Sequence, residues 1–162
     1  MHTTPRRPIL AIAAWAIGPL AALLVAHQAM AESRITAPPN ARWSAECGTC
    51  HVAYPAPLLS AQGWHRIMSQ LDRHFGTDAS LEPAAAAEIG AYLERYSGSS
   101  RRTAASPDSM RITETAWFVH EHGEVPSAVW RSPAVKSAAN CAACHTGAEK
   151  GDFRERGIRI PR

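Results

Sequence analysis

The chain has 162 residues, with 17 Lys or Arg, 14 Asp or Glu and a formal net charge of +3. Two of the basic residues and none of the acidic ones precede residue 32, so the remainder is nearly neutral. No basic stripe with interleaved aromatic residues occurs, which argues against a nucleic-acid partner.

Residues 1–31 have the pattern of a cleaved secretory signal peptide. Arg6 and Arg7 form a positive n-region, residues 9–25 are apolar, and an A-x-A cleavage site ends at Ala31. An uncleaved membrane anchor is the alternative, because the apolar stretch is just long enough to span a bilayer. The small-residue site favours cleavage near Ala31 and export to the periplasm. The mature chain is then long enough for one small domain or two very small ones.

A C-x-x-C-H pentapeptide occurs twice, at residues 47–51 and 141–145, and uses all four cysteines of the chain. This pattern is the signature of a covalently attached c-type haem, in which the histidine is the proximal iron ligand. A disulfide, a redox-active dithiol or a zinc site would also use cysteine pairs, but none explains a histidine directly after both pairs. We therefore predict two covalently bound c-type haems, attached by Cys47, Cys50, Cys141 and Cys144, with His51 and His145 as proximal ligands.

Residues 32–97 are predicted to form a mostly helical N-terminal haem domain. After the first motif, residues 54–57 read as an extended strap that would lie over a haem edge. Apolar residues at helical spacing predict a helix over residues 60–75, and a second helix with Ser80 as its N-cap and Pro83 in its first turn. The apolar stripe of the second helix is Ile89, Tyr92, Leu93 and Tyr96.

Residues 98–110 are polar, rich in small residues and aperiodic, which is typical of a linker. Residues 111–162 are predicted to form a C-terminal haem segment. It begins with a short helix over residues 113–122, continues through a proline-containing loop, and carries the second motif on a helical stretch over residues 133–145. Neither haem segment has enough apolar side chains for a core by itself, so the haem-free chain should be only partly ordered.

The function depends on which side chains lie opposite the two proximal histidines. A haem with a protein ligand on both faces carries electrons, whereas one with an open face binds or activates small molecules. The remaining candidates in the mature chain are His65, His74, His120, His122, Met68 and Met110.

Helical periodicity separates the candidates on the first predicted helix. His74 falls at the edge of the apolar face, beside Ile67, whereas His65 falls on the polar side. Met68 lies centrally on the apolar face, where a core role is the expected one and ligation stays open. The pattern therefore favours His74 as a distal ligand.

Periodicity does not separate His120 from His122, since either could face inward. His74 follows His51 by 23 residues, and His122 precedes His145 by 23 residues. This spacing suggests that a helix of each segment supplies the distal ligand of that segment's own haem. An exchanged arrangement, in which each segment supplies the distal ligand of the other haem, stays open.

The chain resembles the bacterial dihaem cytochromes c. The resemblance covers most of the mature region and rests on residues 46–54 (ECGTCHVAY), on HFGTDASL at 74–81, on RIT at 111–113 with His122, and on NCAACH at 140–145 with GDF at 151–153. It implies a class-I-cytochrome-c-like N-terminal haem domain joined to an irregular, mainly helical C-terminal haem segment.

The resemblance also implies two low-spin, bis-histidine haems, with His74 and His122 as distal ligands. It associates the chain with a small monohaem oxygen-binding cytochrome c and with membrane b-type cytochromes as partners. The predicted function is single-electron transfer without enzymatic activity. The alternatives are a haem enzyme of the dihaem peroxidase or reductase type with an open iron, and a c-type subunit of a membrane redox complex.

Overall fold

Helices and tight turns build the part of the chain that the structure describes. The computed structural model describes residue 35, residues 37–98 and residues 108–161, all within a unit that spans Arg34–Arg162. The predicted signal peptide over residues 1–31 lies outside the described residues, as do residues 99–107 of the predicted linker.

The described residues contain α-helices and 3-10 helices but no strand, only isolated β-bridges. The predicted mostly helical fold class is therefore confirmed. In these residues no helix has the length and apolar character needed to cross a bilayer. The α-helices are α1 (Ala41–Cys47), α2 (Ala61–Met68), α3 (Pro83–Arg95), α4 (Ala116–Glu121) and α5 (Ser127–Trp130). The 3-10 helices are Ala56–Leu58, Leu71–Arg73, Ile112–Glu114, Cys141–Ala143, Ala148–Lys150 and Glu155–Gly157.

The main hydrophobic core forms where α2 packs on α3. Trp64 and Ile67 of α2 are buried together with Ile89 and Leu93 of α3. The Trp64 indole N–H also donates a hydrogen bond to the carbonyl oxygen of Ala56 at 2.7 Å. Burial of each large apolar side chain contributes about 1.5–3 kcal/mol. The contact with Ala56 therefore fixes the strap after the first motif to a stable core.

Helix α2 begins where the sequence predicts but ends earlier. The Ser60 hydroxyl accepts a hydrogen bond from the backbone N–H of Gly63 at 2.9 Å, which caps the helix. The helix ends at Met68, not at residue 75, because Gln70 leaves the helical region with φ −141° and ψ 40°. The second half of the predicted helix is therefore wrong, and His74 follows a short 3-10 helix on a turn.

Helix α3 has Pro83 in its first turn, as predicted, but it begins at Pro83 and has a different cap. The Glu82 carboxylate accepts hydrogen bonds from the backbone N–H groups of Ala84 and Ala85 at 3.0 and 3.3 Å. The prediction of Ser80 as the N-cap is wrong, because a carboxylate directly before the proline reaches the same free N–H groups. The predicted stripe does face the core, with Ile89, Tyr92 and Leu93 buried.

The first helix of the C-terminal segment is shorter than predicted. The hydroxyl of Thr115 accepts from the backbone N–H of Phe118 at 3.2 Å, so α4 begins after Thr115 and not at residue 113. The Thr115 hydroxyl also donates to the carbonyl of Ile112 at 2.8 Å, which ties the preceding 3-10 turn to the helix start. The predicted loop that follows contains one further helical turn, α5.

The predicted helical stretch over residues 133–145 is wrong. The chain there makes successive turns, and only Cys141–Ala143 forms a 3-10 helix. Lys136 has a φ of 67°, a left-handed conformation that an α-helix cannot contain. Val135 beside it is fully buried. One anchored apolar residue inside a series of turns therefore holds the segment that precedes the second motif.

Candidate haem sites

Helix α1 positions the first C-x-x-C-H motif. Asn40 caps this helix, with its side-chain oxygen accepting from the backbone N–H of Trp43 at 2.8 Å. The Trp43 ring lies 5.5 Å from the ring of Tyr92 in α3. Cys47 is the last residue of α1, so the motif leaves directly from a helix that is packed on the core.

The structure brings His51 and His74 together. Their ring centroids are 6.2 Å apart and their planes are inclined by 25°. Two imidazoles on opposite sides of one metal ion have centroids about 6.2 Å apart, given a bond of about 2.0 Å and about 1.1 Å from nitrogen to ring centre. The space between the two rings therefore fits one iron atom.

A two-residue turn presents His74. Phe75 and Gly76 both have positive φ, at 50° and 95°, and the backbone N–H of Thr77 donates to the His74 carbonyl at 3.0 Å. Positive φ at both central residues is typical of a type I′ turn. Glycine adopts this conformation freely, whereas at Phe75 it costs about 1–3 kcal/mol. The strained residue adjoins the candidate ligand.

A cavity of about 520 Å³ adjoins the His51–His74 pair. Its lining is mostly apolar and includes both cysteines of the first motif. Residues of the C-terminal segment also line it, among them Arg111, Phe118 and Cys141. An apolar cavity with two thiols and two imidazoles at its wall has the donor set and surface that a covalently attached porphyrin requires.

A second imidazole pair occurs in the C-terminal segment. The ring centroids of His122 and His145 are 6.1 Å apart, and their planes are inclined by 70°. This separation also matches the separation of about 6.2 Å that the same bond lengths give for two imidazoles on opposite sides of one metal ion. Each C-x-x-C-H histidine thus pairs with a histidine of its own segment and not in the exchanged arrangement.

His122 is held by the last turn of α4. It follows α4, where its ring stacks on that of Phe118 with centroids 4.0 Å apart and planes 18° apart. Its Nδ1–H donates to the Phe118 carbonyl oxygen at 2.9 Å. This stack is the i, i+4 contact expected of neighbouring turns of a helix.

The C-terminal tail holds His145, an arrangement that sequence reasoning did not find. His145 forms an antiparallel bridge with Ile158, and the backbone N–H of Arg159 donates to the Cys144 carbonyl at 2.8 Å. The His145 ring also lies 5.4 Å from that of Phe153. The apolar residues at 153, 158 and 160 were the available signal, but isolated bridges leave no periodicity to detect.

Two of the four imidazoles have a defined tautomer. The Nδ1 atoms of His51 and His122 lie 2.8 and 2.9 Å from the carbonyl oxygens of Val52 and Phe118. Because a carbonyl only accepts, Nδ1 carries a proton, and in the neutral ring Nε2 then has a free lone pair. This is the arrangement that metal-ligating histidines generally have.

Burial favours the neutral form of the other two imidazoles. Burial, and secondarily the neighbouring His51, lowers the pKa of His74; burial and the neighbouring His122 lower the pKa of His145. A neutral imidazole is the form that binds a metal. The Nδ1 of His145 is also buried without a hydrogen-bond partner among the described residues. The donors present therefore fit an iron–porphyrin group at both sites.

Desolvation affects the first cysteine of each C-x-x-C-H motif as well. Burial raises the pKa of Cys47 and of Cys141 to about 11. A thiol with a raised pKa behaves as a small apolar side chain, not as a reactive thiolate. Since a thioether bond removes the ionisable proton, these positions are suited to attached sulfur in an apolar wall.

Comparison with known proteins decides the family. The sequence profile described as "Dihaem cytochrome c" matches residues 43–153, more than half of the chain. The chain belongs to the dihaem cytochrome c family. Membership implies haem as the cofactor and electron transfer as the general function. No protein with a curated description matches the chain.

Solved structures of similar dihaem cytochromes support the fold. A dihaem cytochrome c from Shewanella baltica OS155 is 41% identical, with a TM-score of 0.66, over 77% of this chain and 95% of its own. A dihaem cytochrome c from Rhodobacter sphaeroides is 38% identical, with a TM-score of 0.64, over 72% of this chain and 98% of its own. A second structure from R. sphaeroides is 38% identical, with a TM-score of 0.59, over 73% of this chain and 100% of its own.

The alternative ligand candidates of this cytochrome lie outside the two imidazole pairs. His65 is exposed on α2, with its Nδ1 3.2 Å from the Glu94 carboxylate, and His120 is exposed on α4. Met68 packs against the core and also lines the first cavity. Met110 accepts a hydrogen bond at its sulfur from the Gln70 side-chain amide at 2.9 Å.

Three residues near the sites were not singled out by the sequence for their observed contacts. Tyr54, predicted to lie in a strap over a haem edge, stacks on the His51 ring. Phe118 lines the first cavity although it belongs to the helix before His122. Arg111 of the C-terminal segment lies over the Phe75 ring. Helical spacing relates Phe118 to His122, but no local pattern reports the contacts between the two segments.

Proposed function

We propose that this protein is a periplasmic dihaem c-type cytochrome that transfers single electrons between redox partners. The ring separations of 6.2 and 6.1 Å within the two histidine pairs carry the proposal. A haem with an imidazole on each face is six-coordinate and supplies one-electron chemistry without an open iron. The proposal assigns covalent attachment to Cys47, Cys50, Cys141 and Cys144, proximal ligation to His51 and His145, and distal ligation to His74 and His122.

The protein's own groups favour a haem iron with a protein ligand on both faces. The hydrogen bonds from His51 to the Val52 carbonyl and from His122 to the Phe118 carbonyl orient one ring of each pair. Burial lowers the pKa of His74 and of His145, which favours the neutral form that binds a metal. With both faces occupied, outer-sphere electron transfer is expected in preference to peroxide or substrate activation.

Spectroscopy of the holoprotein tests this function. The full chain would be produced in a host that attaches c-type haem in the periplasm, and a pyridine haemochrome assay would count the haems. We expect two haems per chain, and visible and near-infrared spectra of six-coordinate low-spin iron with two nitrogen ligands. Rapid carbon monoxide binding to either ferrous haem would contradict the proposal and favour an enzyme with an open iron.

Paired removal of cysteines provides the attachment control. Replacing both Cys47 and Cys50 by Ser should leave one covalent haem, and replacing both Cys141 and Cys144 should leave the other. Denaturing extraction into acidified organic solvent removes haem that is not covalently bound. Complete extraction from the wild type would overturn covalent attachment.

The location and partners need separate measurements. The predicted signal peptide over residues 1–31 supports export, and release of the mature chain from periplasm without detergent would support it further. Retention in the membrane fraction would favour a subunit of a membrane complex. The resemblance points to a small monohaem oxygen-binding cytochrome c and a membrane b-type cytochrome as acceptor and donor candidates. Stopped-flow mixing of reduced protein with such a monohaem cytochrome tests that assignment.

A further inference from the structure

Tyr54 lies between the two candidate haem sites and contacts both. Its ring stacks on the His51 imidazole, with centroids 4.6 Å apart and planes 18° apart. Its hydroxyl donates a hydrogen bond to the carbonyl oxygen of Ala139 at 2.6 Å. Ala139 precedes Cys141 of the second motif by two residues. One side chain therefore joins the proximal ring of the first site to the attachment loop of the second.

Both ends of this contact are anchored. On one side, Ala56 is fully buried and its carbonyl accepts the indole hydrogen bond of Trp64. On the other side, Val135 is fully buried and its carbonyl accepts from the Asn140 side-chain amide at 3.1 Å. A hydrogen bond between two anchored segments fixes their separation, whereas one between two mobile segments would only follow their movement.

The same residues form a shared boundary. Tyr54, Ala139 and Cys141 all line the cavity that carries the first motif. The cysteine that attaches at the second site thus faces the first site, with Tyr54 beside it. Any movement of the loop at Ala139 would change the distance between the two sites and would admit water between them.

We propose that Tyr54 is a positioning residue that holds the second attachment loop against the first haem site and so sets the interaction between the two redox centres. This inference rests on the proposed function. When one centre gains an electron, the added charge makes reduction of the other less favourable, and this interaction weakens with distance and with local dielectric constant. Loss of the tyrosine hydroxyl should therefore weaken it.

Tyr54→Phe in the holoprotein tests the proposal, because it removes the hydroxyl and keeps the ring that stacks on His51. The interaction potential, the shift in one haem's midpoint potential on reduction of the other, would be measured by redox titration followed by NMR. We expect it to decrease. Amide hydrogen exchange in the peptide containing Ala139 should accelerate by roughly three- to tenfold, the effect of losing one hydrogen bond.

Tyr92→Phe is the matched control. Tyr92 also donates its hydroxyl to a backbone carbonyl, that of Pro38 at 3.0 Å, but this bond does not reach the C-terminal segment. Tyr92→Phe should leave the interaction potential unchanged. An unchanged potential in Tyr54→Phe, or an equal decrease in both variants, would overturn the role of Tyr54. A wild type without two low-spin haems would instead overturn the proposed function, so the two failures are distinguishable.

Discussion

The guanidinium of Arg111 lies 4.3 Å from the centre of the Phe75 ring. Phe75 is 46% exposed, has a positive φ, and makes an edge contact with the His74 ring at 4.8 Å. A cation over an aromatic face at an exposed position is worth about 0.5–1 kcal/mol. Arg111, a residue of the C-terminal segment, therefore stabilises the turn that presents the candidate distal ligand of the first site.

The first prediction is that Arg111→Gln loosens His74. In the proposed assignment, carbon monoxide would bind the first ferrous iron only after His74 leaves, so the binding rate would report how often the turn opens. We expect this rate to rise roughly two- to fivefold, which corresponds to the loss of about 0.5–1 kcal/mol. Phe75→Leu, which removes the ring and keeps an apolar side chain, should have an effect in the same direction.

Glu114→Gln is the control for the Arg111 experiment. Arg111 also pairs with the Glu114 carboxylate at 3.5 Å, an exposed ion pair that should contribute little. Glu114→Gln removes this pair and retains the cation over Phe75. An equal acceleration in Glu114→Gln would assign the effect to the ion pair and contradict the contact with the ring.

The second prediction follows from the ring planes of the two histidine pairs. The planes of His51 and His74 are 25° apart, whereas those of His122 and His145 are 70° apart. Two nearly parallel imidazole ligands separate the energies of the two iron d orbitals that overlap with the imidazole π systems. Two nearly perpendicular ligands leave those two orbitals close in energy. Electron paramagnetic resonance of the ferric protein should therefore give one rhombic low-spin signal and one strongly anisotropic low-spin signal.

Variants that lack both cysteines of one motif assign these signals. Loss of the attaching cysteines at 47 and 50 should remove the rhombic signal, and loss of those at 141 and 144 should remove the anisotropic one. Two indistinguishable rhombic signals in the wild type would show that the two ligand pairs do not have the orientations described above.

The third prediction concerns the distal ligands. His74→Ala and His122→Ala should each convert one of the two haems from low-spin to high-spin, because the sixth ligand is lost. His65→Ala and His120→Ala should leave both haems low-spin, since these histidines are exposed and outside the ring pairs. Met68→Leu should also be silent, because this change conserves volume in the core. The measurement is the ferric visible spectrum of each variant.

A silent His74→Ala or His122→Ala would contradict the assignment. For His74, the ligand would then have to be sought among the residues that line the same cavity, of which Met68 and Met110 are candidates. For His122, the exposed neighbour His120 would be the next candidate. A Met ligand would be recognised by its charge-transfer band in the near-infrared and by a higher reduction potential than two histidines give.

The predictable and unpredictable parts of this structure differ in the range of the interactions that determine them. The start of α2 near residue 60 and the stripe of Ile89, Tyr92 and Leu93 follow from spacing within one helix, and the sequence predicts them. The early end of α2 and the turns before the second motif were not predictable. The backbone conformations of Gln70 and Lys136 depend on tertiary packing, which overrides local propensity.

The same division holds at the candidate sites. Two C-x-x-C-H motifs identify the attachment positions because the chemistry requires neighbouring residues. Periodicity favoured His74, although it assumed a helix that ends before this residue; the turn at Phe75 and Gly76 presents the ring instead. The contacts from Tyr54 to Ala139 and from Arg111 to Phe75 join residues far apart in the chain, and no local pattern encodes them.

The fourth prediction concerns stability at alkaline pH. Burial, and secondarily the nearby Cys141, raises the pKa of Tyr54 from its ordinary 10.0 to about 12. The folded state therefore holds the phenol proton more tightly than the unfolded chain does. This contribution to stability is complete below pH 10 and is lost as the pH rises from about 10 towards 12.

Guanidinium unfolding of the holoprotein and of Tyr54→Phe at several pH values between 8 and 11.5 measures this effect. The free energy of unfolding should fall more steeply with pH in the wild type than in the variant once the pH exceeds 10. Groups common to both proteins, such as lysines, contribute equally and cancel in the difference. Burial, the main cause of the shift, persists after Cys141 forms a thioether, so the difference should remain in the haem-loaded protein. Parallel pH profiles would mean that the Tyr54 hydroxyl is as well hydrated in the folded protein as in the unfolded chain.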